Sequence, residues 1–487
     1  MRWLPALLLA APACADPVFE PVAVPEHVYA GGWEHFVGGG IAAVDCRGNG
    51  LPSLVAAGGA GPTVLLLNEG EMQFARAPFP EITGVTGVYA LDLDADGADD
   101  LALLRAGTNV FLRGDGACGF APHDFGGLPD GGDAWTTAFS ATWEAGDARP
   151  TLAFGNYVDR DDPEGPFGAC DDNLLVRPEG DGWAATVLSP GFCALSILFS
   201  DEDRDGAATL RLSNDRHYYL RGGAEQMYAL REDRFLGPED GFEGPSIWGM
   251  GIASRDITGD ARPDLVLTSM GDQLTMLSTA TGHEMAPFDI GSFAQRPHTG
   301  GDGRPSTGWH AAFADVDNDG DADLFIAKGN VDQMPGMAMA DPNNLLLNEG
   351  GRFREVAEAA GVASTHRGRG AVLADLDADG RLDLAVVNRR APLEIWRNVS
   401  ETGRTSEISL QQPGGNAAGV GAWVELRTPA GVQVQEVTLG GGHAGGSVLP
   451  LHFGIGTATE AEARVTWPDG ERGPWVRVLP GRVTLSR

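Results

Sequence analysis

Four aspartates spaced two, two and four residues apart do one kind of chemistry well: they surround a hard cation with oxygen. In the stretch Ala311–Ala327 the acids are Asp315, Asp317, Asp319 and Asp323, loop positions 1, 3, 5 and 9, with Gly320 at position 6. Calcium takes six to eight oxygens at about 2.3–2.6 Å, and a curled backbone supplies them by converging its odd-numbered side chains while a glycine permits the sharp turn. In a helix-loop-helix site the closing acid stands at position 12 and a helix follows. Here it stands at 9, and Leu324-Phe325-Ile326, a short apolar run of β character, comes next. The ion is therefore expected at the tip of a β-hairpin. The alternative is an Asp-rich turn that only caps its own backbone; four acids in register with a glycine exceed what such a turn needs.

The pattern recurs, and recurrence turns a motif into an architecture. Asp92, Asp94, Asp96, Gly97 and Asp100 repeat it in full, as do Asp375, Asp377, Asp379, Gly380 and Asp383. Asp201, Asp203, Asp205 and Gly206 have Thr209 at the closing position, whereas Asp256, Thr258, Asp260 and Asp264 have Ala261 in place of the glycine. A first copy, Asp45, Arg47, Asn49, Gly50 and Ser53, has lost most of its charge. Leucine fills position 10 throughout (Leu54, Leu101, Leu210, Leu265, Leu324 and Leu384), and Leu152 sets the register of one more unit, Trp143 to Thr151, whose ligands are gone. Seven units result, their first positions 47 to 60 residues apart, the length of a four-stranded propeller blade with a generous loop. About three to five calcium ions are expected, in the second, sixth and seventh loops and in the less complete fourth and fifth.

The elements that must position these loops are legible around them. Glycine and alanine crowd the strand before a loop, as in Gly249-Met250-Gly251-Ile252-Ala253 and Gly368-Arg369-Gly370-Ala371, which suits the innermost strand of a blade where neighbours converge on the axis. A second strand follows the loop (Leu101–Leu104), then a third (Asn344–Gly350, matched by Val64–Gly70) and a fourth (Arg352–Ala357, matched more loosely by Gln73–Ala75). The seventh unit lacks an obvious fourth strand, and Phe19-Glu20-Pro21-Val22-Ala23 resembles Phe353–Ala357. Residues 18–23 are thus expected to complete the last blade. From about Arg404 the acidic loops stop and short alternating strands appear, separated by Pro429-Ala430-Gly431 and Pro468-Asp469-Gly470. The fold class is all-β: a seven-bladed β-propeller over residues 16–400, followed by a small β-sandwich over 404–487.

Composition narrows the function. The formal charge is −34 and the only lysine is Lys328, which argues against nucleic acid or an anionic membrane surface as partner. Residues 1–15 read as an export signal, with Arg2, an apolar run from Trp3 to Ala11 and Ala13-Cys14-Ala15 as cleavage site; a lipid-anchor role for Cys14 is the alternative. A secreted or periplasmic chain is expected, with no membrane span. Cleavage leaves Cys46, Cys118, Cys170 and Cys193 with three possible connectivities, of which Cys170 to Cys193, 23 residues apart across one hairpin, is the first choice.

These residues support a resemblance. The repeats look like FG-GAP/VCBS repeats of the kind that build integrin-α propellers, and the chain after its signal resembles the cartilage acidic protein family. Its tail is similar to the ASPIC/UnbV signature of that family at Asn416–Ala422, Gly440-Gly441-Gly442, Leu451–Gly456 and Val465–Gly470. The resemblance implies a secreted calcium-binding propeller with an appended β-domain and associations with adhesion or matrix. It implies no reaction.

No nucleophile elbow, phosphate loop or zinc-helix motif is present. Carboxylates that ligate a cation are held ionised, the reverse of what a general acid requires. The expected function is a calcium-binding extracellular binding or adhesion scaffold, not an enzyme, with an extracellular protein or glycan as partner. The alternative is a carbohydrate-active propeller such as a polysaccharide lyase, for which His217 with Tyr218 and Tyr219 would be base and acid.

Overall fold

The computed structural model describes residues 16–145, 147–162, 168–215, 223–271, 273–280, 282–298 and 303–487. Among the described residues seven sheets follow one another, each of four antiparallel strands with one further parallel strand added to the second, and their inner strands are Ile41–Val44, Val85–Leu91, Thr136–Thr142, Ala194–Ser200, Gly249–Arg255, Gly308–Ala314 and Arg367–Ala374. Each inner strand packs on the next and the seventh packs on the first, so the ring closes. In every sheet the loop of the repeat joins the inner strand to the second, which puts all seven loops on one face. Both faces of each sheet are covered by its neighbours, and the second strands accordingly read as continuous apolar runs, as in Leu324-Phe325-Ile326-Ala327. The core is a series of wedges between sheets. One cluster joins Ile41 and Leu54 to Val88, Leu103, Ala385 and Ile395 across three of them.

Ring closure is as the sequence predicts. Phe19–Val22 is the outer strand of the seventh sheet, antiparallel to Glu394–Asn398, with Phe19 opposite Asn398 and Val22 opposite Ile395. The two disulfides are Cys46–Cys118 and Cys170–Cys193, the second being the expected pair. Each ties one sheet to the next, the first to the second and the third to the fourth. Such bonds mark a chain that folds in an oxidising compartment. Among the described residues no helix is long and apolar enough to cross a membrane.

The C-terminal region is a two-layer sandwich. One sheet orders Leu451–Gly456, Arg404–Gln411 and Gly481–Ser486; the other orders Gly431–Glu436, Trp423–Thr428, Ala461–Thr466 and Val476–Val478. Ile408, Leu410 and Phe453 of the first meet Val424, Leu426 and Val465 of the second. The strands at 404–411 and 481–486, which pair in parallel, escape the sequence reading because Arg404-Thr405-Ser406-Glu407 opens with polar residues. Thr405, Ser406, Glu407 and Ile408 are nevertheless buried, whereas Gly481–Ser486 stays largely exposed at the sheet edge.

Candidate metal loops and the axial segment

The loops share one backbone design. The position 1 carboxylate accepts the amides of positions 5 and 6: Asp315 takes Asp319 N at 3.1 Å and Gly320 N at 2.9 Å, Asp92 takes Asp96 N at 3.2 Å and Gly97 N at 3.0 Å, and Asp375 takes Asp379 N at 3.1 Å and Gly380 N at 3.0 Å. The degenerate Asp45 makes the same pair to Asn49 and Gly50. The closing acid does something the sequence did not suggest. Asp323 accepts Val316 N at 2.9 Å on one oxygen and Asn348 N, from the third strand, at 2.8 Å on the other. Asp100, Asp264 and Asp383 repeat this staple to Gly114, Ser278 and Asn398. It fastens the loop to the sheet as well as facing its interior.

Carboxylate convergence differs among copies. Asp315, Asp317 and Asp323 offer oxygens within 4.8 Å of one another, as do Asp375, Asp377 and Asp383; in the second and fourth loops the converging sets are Asp92, Asp94, Asp96 and Asp201, Asp203, Asp205. Asp319 and Asp379 stand outside the tightest sets, as does Asp100. Asp256, Asp260 and Asp264 form no such group among the described residues, and Asp256 caps Gly259 and Ala261 instead. There the glycine sits at position 4 (Gly259, φ 76°) and Ala261 occupies the left-handed position 6 (φ 67°). Thr258 contributes its amide to Asp264.

Electrostatics fits a cation. Burial, then the Asp319 and Asp317 carboxylates, hold Asp315 well above the ordinary carboxylate range, and burial with Asp315 does the same to Asp323. Burial pushes Asp319 up to about 6, Asp100 to about 7 and Asp383 to about 8. Asp94 Oδ1 and Asp377 Oδ1 are buried with no hydrogen-bond partner among the described residues. Arginine answers part of this charge: Arg113 lies 2.9 Å from Asp94 and 2.6 Å from Asp96, and Arg397 lies 2.7 Å from Asp377. Leu347 holds the equivalent third-strand place beside the sixth loop; among the described residues no lysine or arginine is in ion-pair contact with its acids, and the Arg255 guanidinium acts on Asp315 and Asp323 from further off.

The C-terminal sandwich covers this face. Asn318, at position 4 of the sixth loop, accepts His452 Nε2–H at 2.6 Å through its side chain, and its carbonyl accepts Gly456 N at 2.9 Å. Arg482 bridges Glu407 at 2.6 Å and Asp375 at 3.2 Å. Glu436, half-buried and pushed up to about 8 by desolvation, accepts Ser200 Oγ–H at 2.5 Å and Asp201 N at 2.8 Å. In the third unit Trp143 stands where the first ligand would be and packs against both the propeller core and the sandwich core. The place that aspartate holds in other units is here an apolar contact.

From this sandwich the segment Leu439–Ser447, Leu-Gly-Gly-Gly-His-Ala-Gly-Gly-Ser, enters the centre of the ring. Gly445–Ser447 pairs in parallel with Val88–Ala90 of the second sheet. Ser447 Oγ accepts Ala43 N at 2.9 Å, Leu439 O accepts Ser140 Oγ–H at 2.5 Å, and Gly441 N donates to Ile197 O at 2.7 Å. Gly442 and Ile252 exchange amide bonds, and His443 N donates to His310 Nδ1 at 3.0 Å. Six sheets are bonded in this way, and Gly370 of the seventh packs against His443 O. His443 accepts Gly38 N and donates to Met250 O, as a neutral ring that burial pushes down to about 3. The glycines of the inner strands therefore serve more than convergence: a Cβ on Gly40 would lie 1.7 Å from Ala444 O, and one on Gly251 2.9 Å from Gly442 O. The glycine run carried the signal, but nothing in the sequence says what it inserts into. His217, the base of the lyase alternative, and Tyr218 and Tyr219 lie outside the described residues.

Fold and loops together define a ring of four-stranded sheets with acidic inner hairpins, capped by a β-sandwich. Residues 412–484 match the family model described as ASPIC and UnbV, so the sandwich is an ASPIC/UnbV domain. The chain is similar to cartilage acidic protein 1 of Homo sapiens, 26% identical over 246 residues that span 47% of this chain and 34% of that protein, and to its Mus musculus counterpart at 26% over the same length. The match thus spans about a third of those relatives. Among solved structures, BBS1N in its complex with ARL6DN gives a TM-score of 0.48 at 12% identity, covering 78% of this chain and 96% of that one; YCF48 from Cyanidioschyzon merolae gives 0.43 at 10%, covering 78% and 99%.

Proposed function

We propose that this protein is an extracellular, calcium-stabilised binding scaffold with no turnover of its own. The observation that carries the calcium reading is the sixth loop, where three buried carboxylates converge with no arginine or lysine in ion-pair contact among the described residues and only Arg255 acting on two of them from further off. Asp315, Asp317 and Asp323 would hold a calcium ion there with Asp319 in reach, and corresponding acids would do so in the second, seventh and fourth loops. The ion supplies the positive charge that keeps these acids ionised. The fifth loop, with no converging set, is not proposed as a site. Disulfides and the resemblance to cartilage acidic protein 1 support the extracellular reading.

Since the ASPIC/UnbV domain occupies the loop face, the opposite rim is left to meet a partner. Its most prominent feature is Trp33, 43% exposed and edge-on to Trp135 at 5.0 Å. Arg389 and Arg390 bond to the carbonyls of Gly31 and its neighbours, and Arg160 pairs with Glu34 at 2.9 Å. A short loop so anchored presents an aromatic face at low entropic cost. A screen of matrix proteins and glycans, in calcium and in chelator, tests the reading. Binding lost in Trp33→Ala with the melting temperature unchanged supports it; turnover of a polysaccharide by the purified protein refutes it.

A further inference from the structure

The segment 439–447 is built for one place. Gly440 adopts φ 132° and a Cβ there would lie 2.7 Å from Ile197 O; Gly442 adopts φ 52° and its Cβ would lie 2.3 Å from His310 Cε1. Residues across from it are equally reduced, Gly40, Gly87, Gly251 and Gly370. The fit is therefore mutual, and the amides of Gly38, Ala43, Val88, Ala141 and Ile252 find their acceptors on this segment. Removing it would leave inner-strand donors facing an empty axis, and buried donors do not remain unpaired without cost.

We propose that the ASPIC/UnbV domain is the lock of this ring: residues 439–447 are an axial plug that holds the inner strands together, and the sixth and seventh loops are the latch that keeps the plug seated. The latch is visible in Asn318 and Gly456, in Asp317 O accepting Gly403 N at 2.9 Å, and in Arg482 joining Asp375 to Glu407. Cation control of the latch rests on the calcium reading above; the plug rests on its own contacts. The domain then acts on whatever the far rim binds by fixing the ring that carries it.

Hydrogen exchange on the full chain in calcium, followed by mass spectrometry, reads the plug directly. Gly442→Val is expected to raise exchange at least tenfold across Val85–Leu91, Thr136–Thr142 and Gly249–Arg255, none of which contains the substitution. Should that variant fail to fold, Ser447→Ala tests the same contact gently and is expected to raise exchange over Ile41–Val44 while leaving the fourth strands of the sheets unchanged. Inner-strand protection that survives either soluble variant overturns the plug. In wild-type protein, chelator is expected to raise exchange at Leu439–Ser447 and the inner strands together. If chelator changes nothing while Gly442→Val acts as stated, the calcium latch fails and the plug stands.

Discussion

The second and sixth loops carry the same acids at the same spacing, yet they are different objects. In the second, Asp92, Asp94 and Asp96 are half-buried or exposed and Arg113 spans two of them. In the sixth, Asp315, Asp317 and Asp323 are buried, the third strand offers Leu347 where the second loop has Arg113, and the ASPIC/UnbV domain is bonded to the tip through Asn318. Spacing sets which oxygens can converge; what lies over them sets how much their repulsion costs. With a cation bound the same carboxylates would be worth more to stability where water is excluded, and without one they cost more.

The comparison breaks most readily at the acids themselves. Asp317→Ala with Asp319→Ala removes two proposed ligands and loosens the tip that seats the domain. In excess calcium, losing a site filled at a hundredfold over its Kd costs about 2.7 kcal/mol. Calorimetry should show that loss or more, whereas Asp94→Ala with Asp96→Ala, at a tip already paired with arginine, should cost about 1 kcal/mol. Equal losses would mean that cover by the domain is irrelevant.

A smaller effect appears with pH in chelator. Asp319, Asp100 and Asp383 are raised from 3.8 to about 6, 7 and 8. A raised folded-state pKa favours folding while the group is protonated, so the contribution is complete below about pH 4 and is lost as pH climbs through about 6 to 8. The melting temperature of metal-free protein should fall across that window. Saturating calcium, which holds the acids ionised, should flatten the curve; parallel curves with and without calcium would count against metal in these loops.

Much of this was legible in advance. The leucine at position 10 gave the register of all seven units, including the one whose ligands are gone, and the likeness of Phe19–Ala23 to Phe353–Ala357 located the strand that closes the ring. What escaped was long-range. That Asp323 staples Asn348, that Trp143 trades a ligand for contacts with two cores, and that Gly440–Gly442 enters the axis depend on partners up to 300 residues away in sequence. Local pattern reports which acids recur and where the chain turns; it cannot report which surface later covers them.

Arg113→Leu makes the second loop resemble the sixth in one respect. Its guanidinium now neutralises Asp94 and Asp96 and would compete with a cation for them. Removing it should raise calcium affinity at that loop by about tenfold, equivalent to about 1.4 kcal/mol, measured by titration calorimetry of the variant against wild type. Lower affinity would show that Arg113 orders the acids for the ion.

The smallest expected effect isolates backbone from charge in the fifth loop. Position 6 is left-handed in the second, fourth, sixth and seventh loops, where glycine takes it: Gly97 at φ 88°, Gly206 at 82°, Gly320 at 107° and Gly380 at 85°. Ala261 takes it at 67°, at a cost of about 1–2 kcal/mol for a side chain with a Cβ. Its amide still caps Asp256 at 2.8 Å and its carbonyl still accepts Arg204, so glycine there would keep every bond. Set against the extra freedom glycine has when unfolded, Ala261→Gly should stabilise the protein by about 0.5–1 kcal/mol. It should do so equally in calcium and in chelator, because Thr258 still withholds the third carboxylate. Calorimetry that finds stabilisation only in calcium would show that the missing glycine, and not the missing acid, is what sets this loop apart from the sixth.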